Sequence, residues 1–181
     1  MMYYFLIASL PTLEIGTAAE FSTAEFDEMM QEYLGAKELE ILCSCSGGKN
    51  FPDTCRVYRE MARFEEYLRT RIAQKRADRA GIQFSGRDPE EYYSEVDHGL
   101  MQAASCSNPL EREYMIDRLR WARLDELALE HDFDFDAMCI YRTKLVIVNK
   151  YADFRTETGT LNFTAALDKI ISSSGKSIKE S

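Results

Sequence analysis

Residues 108–154 read NPLEREYMIDRLRWARLDELALEHDFDFDAMCIYRTKLVIVNKYADF, and this stretch decides the fold. Asn108 is a good N-cap, Pro109 suits the first helical position, and Glu111 stands three after the cap, as in a capping box. The helix announced here runs from Pro109 to about Glu130 and has no clean polar side. Leu110, Tyr114, Trp121, Leu124 and Ala128 share one face, and Met115, Leu119, Ala122 and Leu129 lie on another. A helix that is apolar on two faces is packed between neighbours, so this one is expected at the centre, with Trp121, the single tryptophan, near its core contact. Asp117 falls inside the first face. It either reaches the edge and pairs with Arg118 or Arg120, or it is a partly buried functional carboxylate. After Glu130 the acidic run HDFDFD leads into a helix expected from Phe135 to Ala152. Asp134 caps it, and Met138, Tyr141, Leu145, Val148 and Ala152 face the core. The LVIV run at 145–148 also fits a strand.

Working outward toward the N-terminus, MMYYFLIASL is apolar but far short of the ~20 residues a membrane-spanning helix needs. It lacks the basic start of a secretory signal, since the first Lys or Arg is Lys37. It is expected to be part of the fold, as helix or strand, ended by Pro11. Ser22 and Glu25 form a capping box, and Phe21 and Phe26 occupy the positions of a hydrophobic staple. Phe26, Met29, Met30, Tyr33 and Leu34 make a core stripe at helical spacing, and Gly35 supplies the stop. A short helix over Lys37 to Cys43 buries Leu39 and Leu42. After the loop CSCSGGKNFPD, a long helix starts at Asp53 or Thr54 and runs to about Arg79, with Val57, Met61, Phe64, Leu68 and Ile72 inside. Asp88-Pro89-Glu90-Glu91 repeats the cap-and-proline logic of Asn108-Pro109. It opens a helix that uses Tyr93, Val96, Leu100 and Ala104. A final helix, about Asn162 to Ile171, and a disordered tail over 173–181 complete the reading. The expected fold is all-α: a single-domain bundle (residues 1–172) of about six to eight helices, two of them long.

Composition sets the class. The chain has 181 residues, 45% hydrophobic and 29% charged, with a net charge of −9. That is ordinary for a globular domain, and the acidic balance argues against nucleic-acid binding. The five cysteines, Cys43, Cys45, Cys55, Cys106 and Cys139, are odd in number and are expected to be reduced thiols of a cytoplasmic protein.

No motif for chemistry is complete. CSCSGGKN lacks the first glycine of a phosphate loop, which would fall at Cys43, and carries Asn50 where Ser or Thr is required. Cys43 and Cys45 form a CxC pair without a second pair, and His98 and His131 are isolated, so no metal or cofactor is expected. Asp132, Asp134 and Asp136 mimic the start of a calcium loop, but Ala137 stands at the required glycine and Thr143 at the required glutamate. A small enzyme or metal protein built on Cys43, Cys45 and the Asp cluster is nevertheless one of the candidate classes. The remaining feature is charge. The helix over residues 56–79 carries eight basic and four acidic residues, net +4, which leaves −13 for the rest of the chain. Arg56, Arg59, Arg63, Arg69, Arg71 and Arg76 are the candidate partner-binding residues. They form either a solvated helix side laced with i,i+4 pairs or a docking face for an acidic protein.

YYFLIASLP at Tyr3 to Pro11, the helix with Phe26, Tyr33 and Leu34, the run FDFDAMCIYRTKLVIVNKYADF at 133–154 and the segment Gly159 to Phe163 resemble an uncharacterised bacterial family. That family is encoded beside the genes of bacterial V-type (A/V-type) ATPases. The resemblance implies a counterpart of the ATPase C subunit, called d in eukaryotes, an all-helical part that caps the membrane rotor ring and seats the central shaft. C subunits are longer, with repeated helical lobes forming a funnel, and a chain of this length makes part of one. The resemblance therefore implies a non-catalytic accessory or central-stalk component. Its partners are the rotor shaft and membrane ring, and it sits in the cytoplasm at the inner face of the plasma membrane without inserting into it. The family offers no catalytic residues to carry over. A stand-alone helical binding or regulatory module is the alternative.

Overall fold

The structure is a computed structural model in which residues 2–45, 51–87, 89 and 91–152 are described. Among them the chain forms seven helices and no strand: α1 (Met2–Ser9), α2 (Thr23–Gln31), α3 (Ala36–Ser44), α4 (Arg56–Ala80), α5 (Ser94–Ser105), α6 (Pro109–Ala128) and α7 (Phe135–Ala152). The all-α expectation holds, and residues 3–9 are helical rather than extended. The helix expected at 162–171, the tail, and the GGKN part of the first loop lie outside the described residues.

α6 and α7 form the spine. α6 packs on α4, α5 and α7, whereas α7 touches α1, α2, α3, α4 and α6. The centre of the fold is therefore α7 as much as the helix the sequence pointed to. Burial on nearly every side explains the LVIV ambiguity: Met138, Cys139, Ile140, Leu145, Ile147 and Val148 are all buried. A helix surrounded by partners carries an apolar run with no polar face to reveal its period. α6 buries Ile116, Asp117, Arg120, Leu124 and Leu127. That stripe shares Asp117 and Leu124 with the first face expected from the sequence and lies away from the second. Leu110 and Leu129 are exposed, and Trp121 is half-buried against the core.

The local signals at helix starts are mostly realised. Ser22 accepts from the Glu25 N–H while the Glu25 carboxylate takes the Ser22 N–H at 2.7 Å, and the Phe21 and Phe26 rings stack at 6.1 Å. Asn108 Oδ1 accepts from Leu110 N at 3.0 Å, and Asp134 Oδ1 accepts from Ala137 N at 2.8 Å. Of the α2 stripe, Phe26, Met30 and Leu34 are buried, but Met29 and Tyr33 are exposed. Gly35 is not the stop of α2. Its φ of −67° is ordinary, and it is the N-cap of α3, its N–H taken by Glu38 at 3.2 Å. α4 begins at Arg56 behind Cys55, later than Asp53 or Thr54, and ends at Gly81 in the left-handed conformation, φ 65°.

α5 starts at Ser94, not behind Asp88. Tyr93 stays extended (φ −121°, ψ 97°) because its ring is drawn into the core, edge-on to Phe64 at 5.3 Å and Tyr67 at 5.4 Å. The tertiary contact overrides the cap-and-proline start. Behind it, α5 lies so close to α6 that a Cβ on Gly99 would stand 2.5 Å from the Leu119 side chain.

Two ionic clamps lock the helices. Arg142 on α7 grips the Asp27 carboxylate of α2 with two bonds of 2.7 Å and donates at 2.9 Å to the carbonyl of Cys45, at the C-terminal end of α3. Arg120 on α6 lies buried between Glu65 of α4, held through two nitrogens, and Asp117, at 2.6 Å.

Candidate functional site

The arginines of α4 divide along the helix. Toward its start they are tied to the chain itself. Arg56 pairs with Glu130, Arg59 with Asp53 at 2.9 Å, and Arg63 with Glu60 and Glu91 at 3.3 and 3.2 Å. Arg69 sits 3.6 Å from the buried Glu65, and Arg71 bonds Asp97 at 2.5 Å and Gln74 at 2.7 Å. Of these pairs only Arg69–Glu65 is the i,i+4 lacing of the alternative reading; most of the others tie α4 to residues elsewhere in the chain, and Arg56, Arg59, Arg63 and Arg69 stay about half exposed. Arg76 differs. It is exposed, and among the described residues no carboxylate lies within ion-pair distance of it or of Lys75.

Lys75 and Arg76 border a groove of about 260 Å³ between α4, α5 and α6. Ile72, Leu100, Ala103, Ala104 and Ile116 supply its apolar lining, and Arg79, Arg112 and Asp78 complete its rim. Four cations against one acid give the groove a net charge of +3 in a chain whose total is −9. Two of those cations are fixed by structure. Arg79 donates to the Ala104 carbonyl at 3.0 Å, and Arg112 donates to those of Ala103 and Cys106 at 3.3 and 2.6 Å. They cap the C-terminal end of α5, where the helix dipole favours positive charge. Lys75 and Arg76 remain available to a ligand. Arg76 and the α4 register are legible in the sequence; Arg112 is not, because its part depends on the α5–α6 turn.

A larger cavity, about 530 Å³, is lined by Ser44, Phe51, Glu65, Glu66 and Arg69 among others. It carries both signs of charge, and its buried acid, Glu65, is already held by Arg120. Behind it runs a chain of ions through the core. Asp117 Oδ2 accepts from Lys150 Nζ at 2.7 Å and from the Tyr151 hydroxyl at 2.6 Å, and Lys150 also reaches Glu113 at 2.6 Å. Burial raises the Asp117 carboxyl, but the bonds from Lys150 and Tyr151 and the charges of Arg120 and Lys150 outweigh it. The group therefore titrates below its ordinary value. Asp117 thus pairs with Arg120 as one reading expects, but in the core and not at the edge.

Sulfur and oxygen meet at the start of α7. Cys55, Asp136 and Cys139 bring one ligand atom each to within 4.8 Å of one another. Cys43 and Cys45 do not join this group, one being exposed and the other buried in the core. The sequence conceals it because Cys55 and Cys139 lie 84 positions apart. Its nearest signal is the dense run His131, Asp134, Asp136, Cys139.

Residues 54–174 match the profile of a family described as protein of unknown function (DUF2764), a span of more than half of the chain. The chain belongs to this family. No curated protein and no solved structure matches it. The DUF2764 span opens at Thr54, ahead of α4, and takes in α4 to α7, so the basic groove, the buried ion chain and the Cys55–Cys139 pair all fall inside it. Among the described residues of this DUF2764 chain, no helix is long and apolar enough to cross a membrane.

Proposed function

We propose that this chain is a non-catalytic accessory component of a bacterial V-type ATPase, standing where the C (d) subunit stands and joining the soluble rotor to the membrane ring. The ATPase enters through the resemblance described for residues 3–11 and 133–163. The docking face rests on one observation, the groove whose cations Lys75 and Arg76 have no carboxylate of their own among the described residues. An apolar floor under a basic rim suits an acidic amphipathic segment of a partner subunit. Charge would set its orientation and approach, and burial against Ile72, Leu100 and Ile116 its residence. The proposed mechanism is mechanical, and clamps such as Arg142–Asp27 and Arg120–Glu65 would stiffen the helical body. The protein acts in the cytoplasm, held at the inner face of the membrane by the complex.

Co-purification from the native host tests this. The tagged protein, drawn from gently solubilised membranes, brings down the catalytic and rotor-shaft subunits in a fixed ratio. The Lys75→Glu/Arg76→Glu variant folds but loses them. Recovery of the protein alone, with intact ATPase in the flow-through, overturns the proposal in favour of a stand-alone helical regulatory module.

A further inference from the structure

We propose that Cys55, Cys139 and Asp136, with His131 as the fourth ligand, form a zinc site that staples the start of α4 to the start of α7. The donor set suits that ion. Two thiolates, a carboxylate and an imidazole are the donors that a tetrahedral, borderline-soft ion selects, and sulfur disfavours calcium and magnesium. The spacing suits it too. Ligands at about 2.0–2.3 Å from one ion stand on the order of 3.3–3.8 Å apart. The three atoms, already within 4.8 Å of one another, need only small side-chain shifts to reach that geometry. Asp136 and Cys139 share a face of α7 at i,i+3, while Cys55 comes from the extended residue ahead of α4 (φ −143°, ψ 167°).

His131 approaches the group from the Asp136 side, with a carboxylate behind it. Its Nδ1 lies 2.6 Å from Asp134 Oδ2, and its Nε2 lies 4.0 Å from Asp136 Oδ2. An imidazole that donates Nδ1–H to a carboxylate presents the Nε2 lone pair outward, the arrangement that orients metal-ligating histidines. Asp136 itself carries an unsatisfied atom. Its Oδ1 is buried and has no hydrogen-bond partner among the described residues, an orphan acceptor that a bound cation would satisfy. Zinc would displace both thiol protons. The site is independent of the groove, so it stands or falls apart from the proposed partner.

The test uses the full-length protein, purified with reductant and without added metal, then titrated with zinc and separately with cobalt. One zinc per chain is expected, together with a thiolate-to-cobalt charge-transfer band and the ligand-field bands of a tetrahedral site. Cys55→Ser is the informative variant because serine is itself a good N-cap for α4. It should keep the helical signal, weaken metal binding and lose at least about half of the charge-transfer intensity, since one of the two thiolates is gone. Asp134→Asn should weaken zinc about 10–100-fold through the orienting histidine. Cys106→Ser, beside Met115, should change nothing. No zinc uptake by the fully reduced, folded protein overturns the site, as does uptake unaltered in Cys55→Ser. A Cys55–Cys139 disulfide in the isolated protein, with no zinc bound after its reduction, would overturn it in favour of a redox pair.

Discussion

Asp117 ties α6 to α7 directly and, through Arg120, to α4. It accepts from Arg120, itself tied to Glu65 of α4, and from Lys150 and Tyr151 of α7. Breaking a buried pair leaves uncompensated charge at a cost of about 3–5 kcal/mol, more than the pair itself contributes against an apolar replacement. Asp117→Ala is therefore expected to destabilise by that order in denaturant unfolding at neutral pH. The pH dependence has its origin in the same contacts. The folded carboxyl titrates below its ordinary 3.8, so its contribution is present above about pH 4 and is lost as pH falls through the lower folded value. Asp117→Asn should flatten the fall in stability below pH 4, and an unchanged acid limb would show that this group is not its source. Half of this arrangement is legible in the sequence. Arg120 stands at i+3 and can be read off the helix, but Lys150 and Tyr151 lie 33 and 34 positions away, and only tertiary packing delivers them.

Among elements, the same cap signal succeeds once and fails once. Asn108-Pro109 opens α6, with Asn108 capping Leu110 N and no capping box at Glu111, but Asp88-Pro89 does not open α5, because burying the Tyr93 ring against Phe64 and Tyr67 outweighs a cap. A cap is worth about 1 kcal/mol, whereas a buried aromatic ring is worth several. Periodicity in α4 is readable because one side faces water; in α7 it is obscured because nearly all sides are covered. The same magnitudes rank two substitutions. Asn108→Ala, losing one cap bond, should cost about 1 kcal/mol. Arg142→Ala, removing both bonds to the Asp27 carboxylate and the bond to the Cys45 carbonyl, should cost about 3–5 kcal/mol. Denaturant midpoints at constant slope would check the order, and a cap variant as damaging as the clamp variant would contradict it.

At the scale of the molecule, the distribution of charge decides more than its total. A chain of net −9 repels acidic partners at long range, yet the end of α4 gathers Lys75, Arg76, Arg79 and Arg112 around one apolar groove. Attraction there is local and screened beyond about 8–10 Å at physiological salt. The proposed association with an ATPase subunit should therefore weaken as salt rises, chiefly through the on-rate. Reversing Lys75 and Arg76 to glutamate should lower affinity by more than about tenfold, because like charges across an interface repel where opposite ones attracted. It should also remove most of the salt dependence. Thermal stability should stay close to wild type, since neither side chain holds an ion pair among the described residues. The contrasting variant is Arg63→Glu/Arg69→Glu, in the stretch the sequence alone favoured. Those side chains pair with Glu60, Glu91 and Glu65, so reversal sets acid against acid within the fold and should lower stability more than it alters the groove. Measuring affinity and melting for both variants separates docking from lacing. If Arg63→Glu/Arg69→Glu abolished binding with an unshifted melt while the groove variant bound normally, the docking face would belong at the middle of α4 rather than its end.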